Sequence, residues 1–101
     1  MIVEYLRYTV DASRGAAFVD AYVVSADALM ASPYCRSFEL CRCDEDPSTY
    51  IVRIEWTSAE DHLQRFRGSD AFRDFFAHVK PYVGDINEMR HYTRLERREA
   101  S

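Results

Sequence analysis

Residues 2–10, I-V-E-Y-L-R-Y-T-V, carry apolar side chains at both odd and even positions and are rich in β-branched and aromatic types. That pattern predicts a central strand, buried on one face and partly covered on the other. After it, Phe18, Tyr22, Ala26 and Leu29 recur at spacings of four, four and three, behind Asp11 or Ser13 as a cap and ahead of Pro33. A helix over about 12–31 follows, because Pro33 cannot continue it. Segment 34–43 and the run from Tyr50 to Trp56 flank the turn-like D-E-D-P-S. They read as a hairpin whose second arm turns Tyr50, Val52, Ile54 and Trp56 to one face and Ile51, Arg53 and Glu55 to the other. Thr57 and Glu60 stand at capping-box spacing, so a short helix is expected from Ser58 through Leu63 and Phe66 to Gly68. Ser69 then caps a helix with Phe72, Phe75, Phe76 and Val79 on one stripe, ending near Pro81. The last strand reads D-I-N-E-M-R-H-Y-T-R-L.

The predicted order is β-α-β-β-α-β, the ferredoxin-like arrangement of an α+β protein: an antiparallel sheet covered by helices on one face. One domain over residues 1–95 and a charged tail over 96–101 account for the 101 residues. Val3, Tyr5, Ile51 and either Phe38 or Cys41 would face water on the uncovered side of a monomer. Burying each large apolar side chain contributes about 1.5–3 kcal/mol, so a homodimer paired through that face, forming a dimeric α+β barrel, is expected. Arg7, Arg53 and Glu55 share the face and give the seam an ion-paired character.

Composition narrows the function. A net charge of −4 without a basic stripe gives nucleic acid no footprint. No apolar run approaches the roughly 20 residues of a membrane span, and no leader pattern follows Met1, so a soluble cytoplasmic protein is expected. Three cysteines, at 35, 41 and 43, suit reduced thiols rather than a disulfide scaffold. Cys41 and Cys43 are too closely spaced and too few for a four-ligand zinc site. The acidic Asp44–Asp46 turn reads as a solvated hairpin tip rather than a calcium loop. No glycine-rich phosphate loop, nucleophile elbow or nucleotide fingerprint occurs; neither a metal nor a cofactor is expected.

The stretches R-I-E-W-T-S-A-E-D-H-L (53–63), S-D-A-F-R-D-F-F-A-H-V-K-P-Y-V (69–83) and I-N-E-M-R-H-Y (86–92) resemble the antibiotic biosynthesis monooxygenase family. In particular they resemble its actinobacterial domains found beside or fused to truncated globins. The resemblance spans Ile2 to about Leu95. It implies a homodimeric α+β barrel with one pocket per subunit between sheet and helices, and oxidation of a phenolic polyketide or quinol by molecular oxygen without metal or flavin. A haem-degrading branch of the family uses an Asn, a Trp and a His at positions that here hold Leu6, Phe66 and Phe76, which runs against haem degradation. Many members carry a His at the position of Phe66; here His62 lies four residues earlier, able to share that helix face.

Cofactor-free oxygenation needs a base and a dry pocket. His62 is the candidate catalytic base, with His78 a second pocket imidazole, since imidazole accepts a proton near neutral pH. Tyr22 and Trp56 are candidate pocket walls, and Phe66, Phe72 and Phe76 the lining. Arg53 or Arg36 could stabilise a phenolate, although an arginine on the sheet also suits pairing with Glu39 or Glu55. His91, alternating with Arg90 and Tyr92, is expected to take a structural hydrogen bond in the dimer seam. Two functions remain: an oxygenase acting on an electron-rich quinol or anthrone, or a non-catalytic dimeric module that binds a small aromatic ligand or serves a truncated globin.

Overall fold

A computed structural model describes residues 1–100. β1 spans Ile2–Thr9 and α1 Gly15–Ala31, after a 3-10 turn over Ala12–Arg14 that Asp11 caps by accepting the Ser13 N–H. β2 covers Cys35–Arg42 and β3 Thr49–Trp56. A π-helical segment follows at Asp61–Phe66, then α2 at Asp70–Val79, a 3-10 turn at Lys80–Asp85, and β4 at Ile86–Thr93. The sheet order is β2-β3-β1-β4, every pairing antiparallel, which is the ferredoxin-like topology.

Register decides what meets the helices. Glu4 pairs with Ile54 and His91, Leu6 with Val52 and Met89, and Tyr8 with Tyr50. These even positions of β1 and β3 face α1 and α2, and the core they build is largely aromatic: Tyr8, Phe18, Tyr22, Tyr50 and Trp56 are all buried. Phe18 sits within 4.8 to 5.2 Å, centroid to centroid, of Tyr8, Tyr22, Tyr50 and Tyr82. Edge-on and tilted pairs of this kind add about 0.5–1.5 kcal/mol each beyond area burial. Phe38 pairs with Ile54 and stacks on Tyr22, so it belongs to the core, and Cys41, opposite Ile51, is the β2 residue on the uncovered face.

That face departs from expectation in one respect. Val3 is buried within the single chain, because Tyr5 and Tyr92 meet edge to face at 5.4 Å and the segment from Thr93 to Arg97 lies beside them. Arg53 and Arg94 both reach Glu55 at 2.8 Å; these guanidiniums, Arg94 first, hold the Glu55 carboxyl down at about 2. At the β2–β3 turn Asp46 accepts from Ser48 and Thr49, so its carboxylate organises the hairpin. All three cysteines are free. No described helix is long and apolar enough to cross a membrane.

Candidate functional site

The concave side of the sheet and the helical layer enclose a cavity of about 270 Å³. Its wall is aromatic and aliphatic: Phe66, Phe72, Phe75 and Phe76 from the helical side, Leu6 and Ile54 from the sheet. Leu6, Phe66 and Phe76 all present hydrocarbon to the space.

One end is polar. His62 is brought there by the segment after β3, where Ser58 Oγ accepts the Asp61 N–H at 2.9 Å. The cap is therefore Ser58 with Asp61, one residue along from the Thr57–Glu60 pair that the spacing suggested; Thr57 instead gives its hydroxyl to the Asp61 carboxylate. The backbone then widens, the Arg67 N–H reaching the His62 carbonyl at 3.3 Å in a five-residue step, and such π-turns recur at functional sites. The His62 ring stacks on Trp56, with centroids 4.3 Å apart and planes at 11°. Its Nδ1 lies 2.7 Å from His91 Nε2, and its Nε2 lies 3.6 Å from Glu4 Oε1, which also accepts the Trp56 indole N–H at 3.0 Å. Glu4 and His62 are 3% and 4% exposed.

Burial sets the charge of this chain of groups. It pushes the Glu4 carboxyl up to about 7, against the opposing pull of the Trp56 hydrogen bond and the Arg67 cation. Burial also pushes His62 down to about 3, helped by the nearby Arg67 and His91, and lowers His91 in the same way. At neutral pH both imidazoles are uncharged, so the His62–His91 contact has one ring donating and the other accepting. Beyond them, Tyr8 and Tyr22 share a hydroxyl–hydroxyl hydrogen bond at the cavity wall. Burial lifts Tyr8 to about 12 and Tyr22 further, so both stay protonated.

Glu4, His62 and His91 offer one ligand atom each, all within 4.8 Å of one another, the only such group among the described residues. Two histidines and a carboxylate are a metal-binding set in composition. His62 directs Nδ1 toward His91 and Nε2 toward Glu4, so both of its ring nitrogens already face neighbours, and the Arg67 cation acts on the same groups.

Of the residues singled out from the sequence, His62, Tyr22, Trp56, Phe66, Phe72 and Phe76 all border the cavity. His78 and Arg53 do not. His78 is exposed on the outer side of α2, beside Asp74 and the Asp27 of α1, because it lies two residues past Phe76 and off the buried stripe. Arg53 sits at an odd position of β3 and pairs with Glu55 on the uncovered face, as Arg36, an exposed residue at the β2 irregularity, also lies away from the site. His91, expected in the seam, turns instead to the helical side, since it pairs with Glu4. Glu4 and Arg67 were not anticipated. The alternation of β1 did carry a signal for Glu4, a carboxylate on the parity of Leu6 and Tyr8; nothing in the sequence sets Arg67 apart from Arg65.

A ferredoxin-like sheet and its helices, closed around one apolar pocket with a polar end, define the class: an α+β domain hollow between its two layers. The antibiotic biosynthesis monooxygenase family matches it over residues 1–78, and the chain belongs to that family. It is 25% identical over 75 residues to the uncharacterized protein YczJ of Bacillus subtilis (strain 168), covering 74% of this chain and 79% of YczJ. It is 30% identical over 81 residues to protein SchA of Streptomyces halstedii, covering 80% of this chain but only 21% of SchA. Its fold matches a mutant form of SnoaB, a cofactor-independent oxygenase from Streptomyces nogalater, with a TM-score of 0.77 and 18% identity over 95% of this chain and 94% of that one.

Proposed function

We propose that this chain is a cofactor-independent monooxygenase acting on a compact electron-rich aromatic, a quinol or anthrone, as a homodimer with one pocket per subunit. The observation that carries the reading is a neutral imidazole, His62, at the polar end of a largely aromatic and aliphatic cavity and backed by a second imidazole. The 3.6 Å between His62 Nε2 and Glu4 is longer than a hydrogen bond, which leaves that nitrogen available to an acidic substrate hydrogen. His62 takes the proton; the resulting carbanion or phenolate gives an electron to molecular oxygen, and the two radicals combine as a peroxide. Loss of water then leaves a carbonyl where the CH₂ of an anthrone or a ring CH of a quinol stood, one oxygen atom in the product and one in water. A base held near 3 is poor alone, at about 1.4 kcal/mol for each unit below its substrate. The 2.7 Å contact to half-buried His91 gives the proton an outlet. Trp56 fixes the ring of His62, and Tyr22, Phe66, Phe72 and Phe76 exclude water.

Family membership and a fold shared with SnoaB support this reading. The second reading, a binding module serving a partner such as a truncated globin, draws on the hydrocarbon groups of Leu6, Phe66 and Phe76 in the cavity wall. Oxygen uptake on a panel of hydroquinones and anthrones separates the two. Turnover that falls at least about a hundredfold in His62→Ala supports the oxygenase; undiminished turnover removes His62 from the mechanism. Binding without turnover on any compound favours the module.

A further inference from the structure

The rim of the cavity carries a cation that the reaction above does not use, on the solvent-exposed Arg67. Arg67 follows directly on the π-turn and borders the pocket beside Glu4 and His62. Its near neighbour Arg65 is taken up by Asp61 and Glu60 on the outer surface. Among the described residues Arg67 has no carboxylate within 4.0 Å, as is true of Arg7, Arg36 and Arg42, and of these four only Arg67 borders this cavity. It lines the pocket with Glu4 and His62, at the polar end, and its charge acts on Glu4, His62 and His91 alike. The carboxyl in the cavity wall, Glu4, accepts the Trp56 indole N–H and does not come within 4.0 Å of the guanidinium, so the two do not form an ion pair.

We infer that Arg67 is a specificity residue that selects aromatic ligands carrying an anionic oxygen, the ring lying among Phe66, Phe72 and Phe76 and the anion meeting the guanidinium. A planar guanidinium offers paired donors to such an oxygen. At about 270 Å³ the cavity is at the small end for ligand sites, which favours one or two fused rings. The inference rests on the proposed use of this cavity as the ligand site and not on catalysis there.

Calorimetric titration of the intact protein with 2-naphthoate and with its neutral counterpart, 2-naphthalenemethanol, tests it without any turnover. The acid should bind at least about tenfold more tightly than the alcohol. R67Q should weaken the acid about ten- to thirtyfold, as expected for a lost charge-assisted hydrogen bond, and leave the alcohol within about twofold. R67K should keep part of the preference, and R65Q, on the outer surface, all of it. Equal affinity for acid and alcohol, an R67Q variant that keeps the preference, or no binding of either probe would overturn the inference. Oxygen uptake on the neutral quinol panel decides the oxygenase reading separately.

Discussion

Glu4 stands on β1 between Val3 and Tyr5 and is nearly sealed from water, with only the Trp56 indole as a hydrogen-bond donor. Its folded pKa, about 7, lies above the ordinary 4.5, so protonation stabilises the fold and that contribution is lost as pH rises through this window. His62 works in the opposite sense: its folded value of about 3 lies below 6.5, so stability is lost as pH falls between these values. From pH 4.5 to 6.5 the two slopes oppose each other, and the pair contributes little net pH dependence. Replacing Glu4 with Gln removes one arm. The urea midpoint of Glu4→Gln should climb from pH 4.5 to 6.5 where the parent is flat, and above about pH 7 the variant should gain on the order of 1–3 kcal/mol over the parent. Parallel profiles for the two proteins would show that Glu4 is ionised in the fold at an ordinary pKa. The residues of this site were unequally legible: His62 and Trp56 could be read from helix and strand phase, whereas the contact of His62 with His91 joins positions 29 residues apart and needs the β1–β4 register.

The segment between β3 and α2 is the element on which the site turns. In T-S-A-E-D two frames of the form Ser/Thr-x-x-acid overlap, Thr57 with Glu60 and Ser58 with Asp61. Composition cannot choose between them; the fold uses the second, because Thr57 still continues the exit of β3, its N–H bonded to the Tyr34 carbonyl at 2.9 Å. The π-turn was equally invisible, since a widened turn keeps the same apolar positions and differs only in which carbonyl each N–H finds. Its consequence is that His62 and Phe66 both lie against Trp56, at 4.3 and 4.8 Å. Ser58→Ala leaves the Asp61 N–H without its cap and should cost about 1 kcal/mol in urea unfolding. It should also change the emission of Trp56, the single tryptophan of the chain. Unchanged stability and emission would mean that packing on Trp56 alone holds the turn.

At the scale of the molecule, the sheet is covered on one side and open on the other, where Tyr92 is 44% exposed and Leu95, just beyond β4, is 94% exposed. A second copy seated on that surface would bury them, so light scattering at micromolar concentration should give a particle of twice the 11.8 kDa chain mass; a monomer would remove the dimer from the proposal. The sequence by itself determined the order of elements, their topology and which face of β3 and α2 is apolar, because periodicity and capping are local and leave their mark on neighbouring residues. It determined in the same way that Trp56, Phe66 and Phe76 look inward. Only the tertiary structure decided that Glu4, His62 and His91 form one chain of contacts, that Arg67 borders the cavity while Arg53 serves the opposite face, and that Val3 is already covered. Those outcomes depend on strand register and on how far the layers stand apart, which arise when distant segments pack together and are written in no single stretch of the chain.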